Sequence, residues 1–168
     1  MNPTYHSLGD HSESIQIDYD PTAISYRDLL KRFWGAHDPS TGSWSRQYRA
    51  AIFYHNDGQK RLALETRDEI EATQRVKVQT EIVPLSRFYV AEAYHQKYGL
   101  RGHSEFMREF RNIYPSDEAF MNSTAAARVN GYLSGYGTAA ALQEEVGSLG
   151  LSPETQRRLL EFTKKNVR

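Results

Sequence analysis

Residues 47–73 read QYRAAIFYHNDGQKRLALETRDEIEAT. The run from Ala50 to His55 is short and largely apolar, and Asn56-Asp57-Gly58 closes it with a turn signal, so the stretch predicts a strand that ends abruptly. Beyond the turn, Leu62, Thr66 and Ile70 recur every fourth residue. That spacing puts them on the inner side of a helix predicted from Gln59 to about Thr73. A strand passed directly to an amphipathic helix is a building block of a sheet covered by helices.

Working outward, the same alternation of elements continues in both directions. Val76, Val78, Thr80 and Ile82 alternate with Lys77, Gln79 and Glu81 up to Pro84, a further strand-like segment, and Phe88 to Tyr98 reads as a helix. Upstream, Ile15, Ile17 and Tyr19 share one face of a predicted strand that Asp20-Pro21 ends. Ser25 then offers an N-cap with Asp28 at the third helical position. Leu29, Leu30, Phe33, Trp34 and His37 follow at helical spacing until Asp38-Pro39. The order β-α-β-α-β-α fits either an α/β sheet or an α+β sandwich of the split βαβ kind. The first strand follows the polar loop Asn2-Pro3-Thr4-Tyr5 directly, so one covering element is expected to be missing. From Leu100 onward strand signals vanish. Phe106, Phe110 and Ile113 fall at i, i+4 and i+7, Ser116-Asp117-Glu118 opens an Ala-rich helical stretch, and Ser152-Pro153-Glu154 opens a last helix.

A length of 168 residues suits one domain, or one with an appendage. Lys plus Arg (21) cancels Asp plus Glu (21), which removes the general electrostatic pull on nucleic acid or anionic membrane. Neither is expected as a partner, and with no window approaching a membrane span the expected location is cytoplasmic. The chain has no cysteine, so disulfides and any mechanism using its own thiolate are excluded. The six histidines do not form helical i, i+4 pairs or an H-E-x-x-H motif, and no metal is expected. No Gly-rich phosphate loop exists, and Glu13 has no evident partner for two-carboxylate hydrolysis. Tyr5, Glu13 and Tyr48 stand at loop and strand ends. Taken alone, they read as surface or core-edge residues.

A resemblance changes that reading. Asn2-Pro3-Thr4-Tyr5, His11-Ser12-Glu13, Ile24-Ser25-Tyr26, Phe33-Trp34, His37-Asp38-Pro39, Gln47-Tyr48-Arg49-Ala50-Ala51-Ile52-Phe53-Tyr54, Phe88-Tyr89-Val90-Ala91-Glu92 and Tyr94-His95-Gln96-Lys97-Tyr98 occur in order. Together they resemble methionine sulfoxide reductase A over residues 2 to about 98. The resemblance implies an α+β two-layer sandwich lacking its first strand and helix, over residues 1–100, with a helical extension over 101–168. It also implies reduction of methionine S-sulfoxide in peptides or proteins, a repair of oxidative damage. In that family a cysteine thiolate attacks the sulfoxide sulfur while a glutamic acid and two tyrosines bind and protonate the oxygen. Motif position carries those roles to Glu13, Tyr5 and Tyr48. Negative charge builds on oxygen as the S–O bond breaks, so neutral acids in an apolar site suit the task. No cofactor is implied, and the reductant is thioredoxin or another thiol.

Two departures qualify the resemblance. The family's nucleophile lies in a Gly-Cys-Phe-Trp-Gly loop, and this chain is expected to begin downstream of it. The family also commonly has an aspartate five residues before the tyrosine matched by Tyr48, where Ser43 stands here. Three explanations follow, in order of preference: a sequence that starts at an internal Met, an inactive paralogue, and a module that binds oxidised methionine without reducing it. An exposed apolar sheet face around Ile15, Ile17 and Ile52 is expected from the missing cover.

Overall fold

In the computed structural model, which describes residues 11–166, Ser25 starts the first helix as its sequence requires. The Ser25 hydroxyl accepts from the Asp28 backbone N–H at 3.1 Å and donates to the Asp28 carboxylate at 2.6 Å. One free amide at the end of α1 (Tyr26–Gly35) is thereby satisfied. Asn56 does the same for α2 (Asp57–Gln74), accepting from Gln59 N–H at 2.9 Å. Between them lies β1 (Ala51–Tyr54), and α2 leads on to β2 (Glu81–Pro84). The two strands are parallel, with Ile52 opposite Ile82 and Phe53 opposite Val83, so β1-α2-β2 is a crossover unit. Pro84 has no N–H to extend the ladder, and Leu85 makes the last bond to Tyr54 O at 2.9 Å.

Helices α1 and α2 form a layer on this small sheet, and Leu30, Trp34, Ile52 and Ala63 are the buried centre. The Trp34 indole N–H donates to Thr66 Oγ1 at 2.9 Å, and Thr66 in turn donates to its own helix at Leu62 O, 3.0 Å. The one polar atom of the largest core side chain is thus paired. Across the helices, Arg27 grips both Glu69 oxygens at 2.7 and 2.9 Å. This exposed pair is worth at most about 1 kcal/mol and serves chiefly to fix how α1 lies on α2. His37 bonds Phe33 O and Thr80 Oγ1, both at 2.9 Å, tying the end of α1 to the segment before β2.

Four expectations are corrected. Residues 14–19 form no strand, and Ile15 and Ile17 are 84% and 53% exposed. Alternation alone does not make a ladder, and the backbone bond from Glu13 N–H to Gln47 O at 2.9 Å lies just before this segment rather than along it. Ile52, in contrast, is covered by the helices at 8% exposure, so the anticipated bare sheet face is not formed there. The strand predicted from Val76 is real only from Glu81. Val78 N–H bonds the Glu71 side chain and Gln79 N–H bonds Pro39 O, so these amides are spent off the ladder. Residues 88–98 are not a helix. Before Tyr98, which begins the next helix, only the turn Ala93–His95 is helical; Lys97 takes left-handed φ of 54°, and Phe88, Val90 and Tyr94 have no buried face to drive one.

The chain divides into two compact units after Val90. The second is wholly helical among its described residues. It runs through α3 (Tyr98–Arg101), α4 (Ser104–Ile113), α5 (Asp117–Met121), α6 (Thr124–Leu133), α7 (Ala139–Glu145) and α8 (Pro153–Asn166). Its own core includes Leu100, Phe106, Phe110, Val129, Leu142 and Leu159. Ile113, expected to face inward, ends α4 and stays 40% exposed, while Met107 is buried instead. Together the two units make an α+β fold with a helical extension.

A polar clasp joins α6 to α7. Tyr132 donates to Glu145 Oε1 at 2.6 Å and Arg128 to Glu145 Oε2 at 2.6 Å. Gly137, at φ 90°, lies against the Tyr132 ring so closely that a Cβ would stand 2.6 Å from it. Burial, and then the bond to Glu145 and its charge, push the Tyr132 phenol from 10.0 up to about 12. The folded chain therefore holds this proton more tightly than the unfolded chain. The stabilisation is complete below about pH 10 and is lost as pH rises towards 12. Denaturant titrations should show stability falling by on the order of 2 kcal/mol over that window. Tyr132→Phe should flatten the slope, and an unchanged slope in that variant would contradict the assignment.

Candidate functional site

The loop between α1 and β1 is shaped by short polar side chains. Asp38 accepts from Ser40 Oγ at 2.6 Å, Ser40 N–H at 2.9 Å and Thr41 Oγ1 at 3.1 Å. These bonds hold its carboxyl below the usual range, those from Ser40 most strongly. Ser43 donates to Ser45 O at 2.7 Å, and Ser45 Oγ accepts from Gln47 N–H at 3.2 Å. Such local side-chain bonds turn the backbone without regular structure. The loop delivers Arg46, Gln47 and Tyr48 alongside residues 12 and 13.

That alignment is locked by backbone and side chain together. Ser12 Oγ donates to Arg46 O at 2.8 Å, and Glu13 N–H donates to Gln47 O at 2.9 Å. Arg49 donates from Nε to Ser12 Oγ at 2.8 Å and from Nη1 to Glu81 Oε2 at 2.6 Å. The guanidinium lies 5.5 Å from the Phe53 ring centre and its side chain is only 14% exposed. One partly buried arginine thus links the Glu13 segment to the starts of both strands. On the other side, His11 meets the edge of Tyr89 at 5.1 Å, and Arg87 donates to Tyr89 Oη at 2.9 Å.

At the centre, Gln47 Nε2 donates to Glu13 Oε1 at 2.8 Å and to Tyr48 Oη at 3.1 Å. A single amide nitrogen, with its two hydrogens, therefore holds a carboxyl and a phenol next to one another. Glu13 and Tyr48 are 35 residues apart in sequence, a separation no local pattern can relate. The structure brings these two together. Tyr5 lies outside the described residues. Trp44 stands 5.5 Å from Tyr48, ring centre to ring centre, and is 86% exposed, so it flanks the site without being packed into a core. Ser43 lines an adjoining polar cavity of about 320 Å³ with Thr41, Ser45, Arg49, Gln79 and Glu81. Gln47 is the residue to which sequence reasoning gave no role. Its only signal was its place beside Tyr48 in a matched string.

Chemically, the pair can present two oxygen acids to one acceptor when the carboxyl is protonated. Glu13 is exposed among the described residues, so these residues do not themselves provide an apolar enclosure.

Comparison with known proteins places the chain in a family. The family described as peptide methionine sulfoxide reductase matches residues 1–128, and the helical domain of selenoprotein methionine sulfoxide reductase A matches residues 115–162. The chain belongs to the peptide methionine sulfoxide reductase family. It is 41% identical to a peptide methionine sulfoxide reductase of Drosophila melanogaster over 157 residues, covering 92% of this chain and 62% of the relative. It is 38% identical to peptide methionine sulfoxide reductase A5 of Arabidopsis thaliana over 140 residues, 78% of this chain and 53% of that protein. With MsrA of Methanosarcina acetivorans it shares 43% over 107 residues, 57% of each chain. The chain thus spans between about half and 62% of the length of these relatives. It carries no cysteine. Among the described residues no helix is long and apolar enough to cross a membrane.

Proposed function

We propose that Glu13 and Tyr48, with Tyr5, bind and protonate the oxygen of methionine S-sulfoxide in peptides and proteins, within a reductase whose thiolate this chain does not contain. The observation that carries the proposal is the Gln47 amide, which couples Glu13 and Tyr48 through bonds of 2.8 and 3.1 Å. In the reaction a thiolate attacks sulfur, and the proton donors neutralise the charge that develops on oxygen as the S–O bond breaks. Methionine leaves, and the oxygen ends on the former thiolate, which is oxidised to a sulfenic acid that the thiol reductant then reduces. A neutral glutamic acid suits that role only if it is desolvated, and here the enclosure has to come with the bound peptide or with chain outside residues 11–166. Residues 1–100 act on this proposal as the sulfoxide-binding part and 101–168 as an extension, with thioredoxin or another thiol as reductant and a cytoplasmic setting. A second reading, a binder of oxidised methionine that does not reduce it, is favoured by the absence of cysteine from the chain.

Both readings require selective binding. In an NMR titration, a blocked tripeptide centred on methionine S-sulfoxide should shift the Gln47 side-chain amide signals, while the R epimer and unoxidised methionine should not. Gln47→Leu, by releasing Glu13 and Tyr48, should weaken binding about tenfold, the worth of roughly one to two hydrogen bonds. Equal response to both epimers would sink the proposal. A catalytic thiolate supplied in trans or by fusion then separates the readings, since turnover excludes the mere binder.

A further inference from the structure

The helical unit carries a charge pattern that the sulfoxide reading leaves unused. Ser104, Arg108, Arg111 and Asn112 follow one another on α4 at spacings of three to four residues or as neighbours, so they share one side of the helix. With Arg101 and Met107 they line a cavity of about 550 Å³. Arg101 is held in place. It donates to Gln96 O at 2.8 Å and to Asp117 at 3.1 Å, and its guanidinium lies 5.0 Å from the Phe120 ring centre.

Arg108 and Arg111 differ. Both are exposed, and among the described residues neither has an ion pair or a side-chain hydrogen bond. Several carboxylates of this unit are engaged elsewhere. Glu109, on the same helix, accepts from the Ser152 backbone and hydroxyl. Glu145 is taken by Arg128 and Tyr132, and Glu154 by Arg158. Glu105 is not among the cavity's lining residues. In a chain whose formal charges cancel, the result is a local cationic concavity with two unspent guanidinium forks.

The dimensions decide what fits. Arg108 and Arg111 are one helical turn apart, and the space they border exceeds what a single small anion fills. Met107, 5% exposed, gives the lining a small apolar floor, which suits a chain carrying both carboxylate and apolar side chains. We propose that this concavity docks an acidic peptide segment of a partner protein, with carboxylates on Arg108 and Arg111 and an apolar side chain towards Met107. The inference stands independently of the sulfoxide site.

The test uses the full chain and a fluorescein-labelled heptapeptide of alternating glutamate and leucine, read by fluorescence anisotropy. Saturable binding is expected, weakening several-fold between 50 and 300 mM NaCl as the charges are screened. The double variant Arg108→Glu, Arg111→Glu should bind at least tenfold more weakly, with an unchanged melting curve showing that the exposed substitutions leave the fold intact. No binding, or equal binding by the double variant, overturns the proposal, as does equal affinity for the glutamine-for-glutamate peptide. Displacement of the peptide by low-millimolar inorganic phosphate would identify a small-anion site instead. Tighter binding of a single-stranded oligonucleotide would also overturn the assignment to an acidic protein segment.

Discussion

Residues 1–168, purified and mixed with a methionine S-sulfoxide peptide and excess dithiothreitol, will release no methionine above the rate measured without protein. The reaction needs a nucleophile that attacks sulfur and is oxidised in doing so, and a thiolate is the side chain that does both. No cysteine is present among the 168 residues. The serines of the candidate site are poor substitutes, because an unactivated hydroxyl is a weak nucleophile at neutral pH and Ser12, Ser43 and Ser45 are committed to backbone or arginine partners. Glu13 and Tyr48 supply protons or charge stabilisation but no electrons. The expected effect is complete, and turnover specific for the S epimer that survives rigorous purification would refute it.

Removing the Trp34 side chain is the most damaging single change expected for the first unit. Trp34 is 4% exposed and packs with Leu30, Ile52 and Ala63 where α1 and α2 meet the sheet. Trp34→Ala should cost about 3–5 kcal/mol, combining lost burial with the cavity left behind. In so small a core that loss exceeds what neighbours recover by relaxing. Trp34→Phe separates the causes. It keeps most of the apolar volume and gives up the bond to Thr66, which still donates to Leu62 O, so its cost should lie near 1–2 kcal/mol. Denaturant unfolding followed by circular dichroism checks both values. A Trp34→Ala chain within 0.5 kcal/mol of the unaltered protein would mean that this cluster does not hold the unit together.

The parts of the fold legible in sequence are those decided by neighbours in the chain. Ser25 and Asn56 cap helices through residues three positions away, and Ser116 and Ser152 open the later helices by the same local chemistry. The failures are places where distant partners decide. Ile15 and Ile17 have the alternation of a strand but no ladder beside them, and Val78 and Gln79 spend their amides on Glu71 and Pro39. Periodicity records which face could be buried, not whether anything arrives to bury it.

The candidate site follows the same rule. Motif resemblance, not spacing, points to Glu13 and Tyr48, since they meet only after the Ser-rich loop brings residues 46–48 against residues 12 and 13. Gln47 is hidden in the sequence for a related reason. A glutamine beside a tyrosine on an exposed loop has many bland explanations, and its bridging role depends on where a remote carboxylate lies. Arg49 is similar: in sequence it is one of many charged residues, whereas in the fold it joins Ser12 to Glu81.

The central claim, that Glu13 is the proton donor to a sulfoxide oxygen, is tested most directly once a thiolate is restored. A strand and helix bearing the Gly-Cys-Phe-Trp-Gly loop of a relative can be fused ahead of residue 1, and kcat and KM for a methionine S-sulfoxide peptide measured with Glu13 intact and as Glu13→Gln. The account predicts that kcat falls on the order of a hundredfold while KM changes only a few-fold, because proton donation is felt most in the transition state. An active fusion whose kcat is the same with glutamine at this position, across pH 5 to 9, would contradict it.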